Sequence, residues 1–241
     1  MHLYFSPAEW QLCVSRQESL PISNREASLP RKGLSQCLPQ WDSRHALQVR
    51  ERLMKDIKAV DDEDIDGNTV AAYLDVFKRL FITDNQPPFS AGIRSSVRVK
   101  QAEKRHFSDP SLACALLKAT PARLFGDLET LGFLFEALCV RDLRIYAESF
   151  GANLYHYQDY KNQEIDAVIE LPDGQWCAFE IKLGANQIDA AAANLLKIKK
   201  QITDDAKGKP PAVLCVLCGM ANAAYQRPDG VFVVPITALK N

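Results

Sequence analysis

Asp166, Glu180 and Lys182 are the residues whose types and spacing suit chemistry, and they fall within EIDAVIELPDGQWCAFEIKL, residues 164–183. With period two, Ile165, Ala167 and Ile169 share one side of a first strand, and Glu164, Asp166, Val168 and Glu170 the other. On a second strand Cys177, Phe179, Ile181 and Leu183 alternate with Trp176, Ala178, Glu180 and Lys182. The connection Leu171-Pro172-Asp173-Gly174-Gln175 suits a three-residue loop, with Pro setting the first turn angle and Gly taking a left-handed bulge position. That loop sets Leu171 opposite Gln175 and, counting back, Asp166 opposite Glu180 and Glu164 opposite Lys182.

Directly opposed residues have Cβ atoms about 4.5–5.5 Å apart, so two like charges there repel. A divalent cation removes the repulsion and makes ligands of both carboxylates. Mg²⁺ takes one or two carboxylates and completes its shell with water or phosphate oxygens. Lys182, on the same face, could orient or deprotonate an attacking water, or stabilise charge developing on a phosphate. A solvated, mixed-charge sheet face is the alternative reading of these three residues taken alone. Glu136 adds a fourth candidate: in LGFLFEALCV its helical neighbours are Gly132, Phe133, Cys139 and Val140. A carboxylate on that apolar face needs a partner, a metal or an edge open to solvent.

The elements that must position these groups read as follows. Residues 1–45 are rich in Ser, Pro, Gln and Arg without sustained period, a poorly ordered lead-in. A short helix is expected over 47–59, and a second over 69–81 after the turn and cap chemistry of Asp66-Gly67-Asn68. Residues 82–107 look extended, with Pro87-Pro88 at a turn and a basic cluster of Arg94, Arg98, Lys100, Lys104 and Arg105. Asp109-Pro110 fits a helix start, followed by a helix over 126–147. Strands at 153–158, 164–171 and 175–183, a helix at 187–203, and strands at 212–218 and 230–236 complete an α/β chain, a hairpin-containing mixed sheet with helices against it.

At 241 residues and a formal net charge of −1, the chain can bury one good core and has no global pull toward nucleic acid or membrane. Binding to nucleic acid must come from local patches: residues 94–105, or Lys197, Lys199, Lys200, Lys207 and Lys209. Neither a membrane-length apolar run nor a signal-peptide pattern at MHLYFSPAEW is visible, and the expected location is the cytoplasm, without membrane contact. Cys215 and Cys218 form a CxxC with no second pair, and read as structural thiols on opposite faces of a strand. Gly208-Lys209 has Thr203 where a phosphate-binding loop needs its first Gly, so no ATP site of that kind is expected in this chain.

A helix with Glu136, then Ile165-Asp166, thirteen residues, and Glu180-Ile181-Lys182 on a hairpin, resembles the PD-(D/E)XK nuclease core, with Ile165 in place of the namesake Pro. The segments KRHFSDPSLA (104–113), DLETLGFLFEALCVRDLRIYA (127–147), YHYQDYKNQEIDAVIELPDGQWCAFEIKLG (155–184) and DGVFVVPI (229–236) resemble the domain of unknown function 4143. That family usually forms the C-terminal part of prokaryotic AAA-type ATP-binding proteins. NTVAAYLDVFKRLFI (68–82) resembles the winged-helix segment that joins the two.

The resemblance implies a partial winged-helix segment over 46–107 and a restriction-endonuclease-like domain over 108–241. It implies Mg²⁺ or Mn²⁺ held by Asp166, Glu180 and the carbonyl of Ile181, with Lys182 serving the attacking water and Glu136 assisting. The substrate would be DNA, contacted by Lys197, Lys200, Arg98 and Lys100, and the partner an AAA ATPase or a missing ATPase domain. Asn194 and Lys197 on the later helix stand between a further polar contact and a solvated face. Three functions stay open: a metal-dependent endonuclease, a non-catalytic DNA-binding or ATPase-docking module on the same fold, and a truncated remnant.

Overall fold

The computed structural model describes residues 53–55, 57–59, 65–90, 103–205 and 208–239. The expected lead-in over 1–45, and Arg98 and Lys100, lie outside the described residues. Of the helix expected over 47–59, residues 53–55 and 57–59 are helical.

Helix α1 (Gly67–Arg79) starts where its cap chemistry dictates: Asp66 Oδ1 accepts from the N–H groups of Asn68 and Thr69 at 2.7 and 3.1 Å. Strands β1 (Thr83–Gln86) and β2 (Lys104–Phe107) form an antiparallel ribbon in which Gln86 pairs with Lys104 and Asp84 with His106. Asp109 caps α2 (Pro110–Leu117), Thr120 caps the five-residue α3 (Pro121–Phe125), and Asp127 caps the long α4 (Leu128–Ser149). Helix α3 is too short to leave a period in the sequence, and so escapes the sequence reading.

Six strands follow in the order β3-β4-β5-β6-β8-β7: β3 (Asn153–Gln158), β4 (Glu164–Glu170), β5 (Trp176–Lys182), β6 (Val213–Cys218), β7 (Tyr225–Gln226) and β8 (Phe232–Pro235). Neighbours β3, β4 and β5 are antiparallel, whereas β5, β6 and β8 are parallel and need a crossover, which α5 (Ile188–Thr203) supplies. Helix α4 covers one face, packing Phe135, Val140 and Leu143 on Ala167, Phe179 and Leu217. Helix α5 covers the other, packing Ala192, Leu195 and Ile198 on Val168, Ala178 and Val216. A central strand covered on both faces must be apolar throughout, which is why β6 reads VLCVLC. Cys215 and Cys218 join opposite clusters as free, buried thiols. Among the described residues no helix is long and apolar enough to cross a membrane.

The β4–β5 ladder pairs Ala167 with Phe179 and Glu170 with Trp176, the register that the three-residue loop dictates. One part of the alternation is corrected. Between β3 and β4, Tyr155 pairs with Val168 but Tyr157 pairs with Ile165, so β4 carries one residue too many. This bulge turns Ile165 away from the Ala167 and Ile169 side and into the α5 cluster with Val168.

Candidate active site

The bulge builds the site. In the hairpin Leu171 N–H bonds the Gln175 carbonyl at 2.8 Å, and with a two-residue repeat the next hydrogen-bonded pairs are 169/177, 167/179 and 165/181. The ladder ends at Ala167–Phe179. In place of a partner on Ile165, Ile181 N–H donates to Asp166 Oδ2 at 2.8 Å. Gln86, fully buried, fills the irregularity from the ribbon: its Nε2 donates to the carbonyls of Tyr155 at 2.8 Å and Asp166 at 3.0 Å. Its Oε1 can only accept, so His106 Nε2, 3.0 Å away, is the donor. That suits a neutral imidazole, and burial, then the charges of Lys104, His156 and Arg144, push the His106 pKa well below its ordinary value.

Around Asp166 runs a chain of alternating charges. Lys182 Nζ lies 3.0 Å from Asp166 Oδ2 and 2.7 Å from Glu180 Oε2. Lys104 Nζ lies 2.6 Å from Glu136 Oε1 and 3.8 Å from Asp166 Oδ1. Asn194 of α5 donates to Glu180 Oε1 at 2.7 Å and to the Glu164 carbonyl at 2.9 Å. Asp166 and Glu180 are both buried, only 5% and 3% exposed. They stand at the end of an open cleft of about 420 Å³, lined also by Glu164, Lys182, Asn186, Gln187 and Asn194.

The electrostatics separate the two acids. Burial opposes the charge on Asp166, but Lys182, Lys104 and the Ile181 N–H outweigh it and hold its pKa down at about 2. For Glu180, burial first and the Asp166 charge second push the pKa up to about 8, against Lys182. Burial also opposes the charges on Lys182 and Lys104, yet the facing carboxylates hold both above the ordinary lysine value. The ion-pair chain thus joins three acids (Glu136, Asp166, Glu180) to two ammoniums (Lys104, Lys182), and the raised Glu180 pKa marks Glu180 as the surplus acid that takes up a proton.

The structure brings Asp166, Glu180, Lys182 and the backbone of Ile181 together, with Glu136 one ion pair away behind Lys104. The expected oppositions of Asp166 to Glu180 and of Glu164 to Lys182 both lie beyond the end of the ladder, and Lys182 forms ion pairs with Asp166 and Glu180. Lys197 and Lys200 are exposed on α5. Lys197 continues the row of Ala190 and Asn194 out of the cleft, while Lys200 lies further round the helix.

The sequence leaves Asn194 between two readings, gives Gln86 and His106 no distinguishing mark, and shows Lys104 as one member of a basic cluster. The one available signal was the alternation in KRHF, which sets Lys104 and His106 on one side of β2.

Fold and site together define a mixed α/β domain with a buried carboxylate pair and a lysine at the open end of its central hairpin. Residues 131–239 match the family described as Domain of unknown function (DUF4143). Residues 45–123 match a second, described as Domain of unknown function (DUF8612). No curated protein and no solved structure matches the chain. Asp166, Glu180, Lys182, Glu136 and Asn194 fall in the first stretch, Gln86, Lys104 and His106 in the second.

Proposed function

We propose that the chain is a divalent-metal-dependent phosphodiesterase of the PD-(D/E)XK type, acting on DNA. The observation that carries this reading is the meeting of two buried carboxylates, Asp166 and Glu180, on one ammonium, Lys182, at an open cleft. Among the described residues no three His, Cys, Asp or Glu converge to cage a metal by themselves. Mg²⁺ and Mn²⁺ do not require it, since one or two carboxylates with water and phosphate oxygens suffice. The surplus of acids over ammoniums and the raised Glu180 pKa mark a place that favours added positive charge, whether a proton or a cation. Asp166, Glu180 and the Ile181 carbonyl are the residues that would hold the ion.

When bound, such an ion supplies Lewis-acid charge to a phosphate oxygen and lowers the pKa of a coordinated water. The residues do the rest. Asn194 and Lys182 fix the two oxygens of Glu180, and the Ile181 N–H fixes Asp166. Lys182 is held as an ammonium, so its role is to donate hydrogen bonds to a phosphate and balance charge there, rather than to take a proton. Exposed Lys197, and Lys200 beside it, offer phosphate contacts. An α1 helix followed by the β1–β2 ribbon suits a partial winged-helix segment, and free cysteines suit a cytoplasmic location with an AAA ATPase as partner.

One observation favours a second reading, a DNA-binding or ATPase-docking module without catalysis: the ion-pair chain gives each charged group a protein partner. The two part on plasmid and single-stranded DNA in Mg²⁺ or Mn²⁺. The enzyme reading expects cleavage that EDTA abolishes and that a Glu180→Ala, Lys182→Ala double variant loses by about 100-fold or more. A folded parent that retards labelled DNA without cutting it is the module.

A further inference from the structure

We propose that Gln86 and Lys104 are positioning residues for Asp166, so that the β1–β2 ribbon is part of the reactive centre. The inference rests on the reading of Asp166, Glu180 and Lys182 as that centre. The ribbon is fixed to the domain on several sides. Arg144 of α4 pairs with Asp84 at 2.5 Å and donates to the Asn85 carbonyl at 3.3 Å. Beyond β1, His156 N–H bonds the Pro87 carbonyl at 3.0 Å and Phe89 N–H bonds the His156 carbonyl at 2.7 Å. Phe89 itself is buried against Trp176, with ring centroids 4.8 Å apart.

These anchors deliver two side chains to opposite ends of Asp166. Gln86 holds its backbone, bonding the carbonyl that the bulge turns out of the ladder. Lys104 stands on its side chain, on the Oδ1 side, while Lys182 and the Ile181 N–H take Oδ2. With backbone and both oxygens constrained, Asp166 has one orientation, and two of the four constraints come from outside residues 131–239. Ligand-orienting groups of this kind typically change metal affinity by about 10–100-fold when removed.

The test uses the full chain with Gln86→Met and Lys104→Met, and reads the amide exchange of Ile181 by NMR without metal or DNA. The expected result is exchange about tenfold faster at Ile181, with Phe179 unchanged, because the Ile181 N–H bond depends on where Asp166 points. Mn²⁺ binding by calorimetry should weaken about tenfold or more in the same variants. Gly174→Ala, at the far end of the hairpin, is the control for lost stability alone and should leave Ile181 unchanged. If a methionine variant does not fold, Lys104→Gln, which keeps a donor for Glu136 without the charge, carries the test. Unchanged Ile181 exchange in folded variants overturns the inference. A parent that has normal Ile181 protection but neither binds Mn²⁺ nor cuts DNA overturns the functional reading instead.

Discussion

The two ends of the β4–β5 hairpin are built by different rules. At the loop end the contacts are short-range: Leu171 N–H bonds the Gln175 carbonyl, Gly174 N–H returns to the Leu171 carbonyl at 2.9 Å, and Asp173 Oδ1, within the loop itself, accepts from the Gln175 N–H at 2.9 Å. At the open end the ladder stops, and side chains take over the work of the backbone. The Asp166 carboxylate accepts from the Ile181 N–H, Gln86 donates to the Asp166 carbonyl, and Asn194 donates to the Glu164 carbonyl. Pairing of the first kind tolerates many side chains. Pairing of the second kind tolerates few, because an unmet polar group in a buried site costs far more than a met one gains. The hairpin therefore has a structural end, and an end whose stability and chemistry depend on the same few residues.

The sharpest way to break that contrast is to remove the cation the acids share. Lys182→Met leaves Asp166 and Glu180 buried side by side with Lys104 as the remaining ammonium of the chain. It should lower stability by about 3–5 kcal/mol in urea denaturation. Glu180→Gln should change it less, because it leaves no unpaired buried charge and keeps one of the two oxygen acceptors that Asn194 and Lys182 use. Equal losses in the two variants would mean that the open end is held by packing, and the contrast would collapse.

A smaller and more specific effect comes from pH. The Glu180 pKa is about 8 in the folded chain against an ordinary 4.5, so between these values the folded state binds more protons than the unfolded one. Stability of the metal-free protein must then fall as pH rises through that window and level off above it. Asp166, held down at about 2 from 3.8, has the opposite sign: it adds stability above pH 3.8 that is lost as pH falls through 2. Urea midpoints at pH 5, 6.5 and 8 should decline in the parent and stay level in Glu180→Gln. A parent without that decline has a solvated Glu180. Added Mn²⁺ should raise the melting temperature more at pH 8 than at pH 6, where the proton competes for the same carboxylate.

How much of this was legible in the sequence follows the same division. The strands expected at 153–158, 164–171 and 175–183, found at 153–158, 164–170 and 176–182, the hairpin register up to Ala167–Phe179 and the α5 crossover all rest on period and turn chemistry between near neighbours, and are legible. Asp166, Glu180 and Lys182 are legible as neighbours from the same alternation, although the ladder stops at Ala167–Phe179 and Lys182, not strand pairing, joins the two acids. The bulge was not, because it exists through Gln86, eighty residues earlier in the chain. Lys104 escapes the sequence because a lysine among basic neighbours looks solvated, and the carboxylates of Glu136, Asp166 and Glu164 that make its burial tolerable are distant in the chain. Asn194 sat between two readings until the helix packing aimed it at Glu180.

The loop end supplies the mildest test, and its value lies in what should not change. Gly174 has φ +76°, a left-handed conformation that other L-residues adopt at a cost of about 1–2 kcal/mol. A Cβ there would meet only Lys209 Nζ at 3.3 Å, the far end of a flexible side chain, so the backbone conformation decides the loss. Gly174→Ala should therefore lower the urea midpoint by an amount set by that strain. Ile181 protection, Mn²⁺ affinity and DNA cleavage should stay at parental values. Any movement of Ile181 in this variant would show that strain at the loop travels the length of the hairpin. The open end would then be held by the ladder after all, and the side chains of Gln86, Lys104 and Asn194 would be passengers on it.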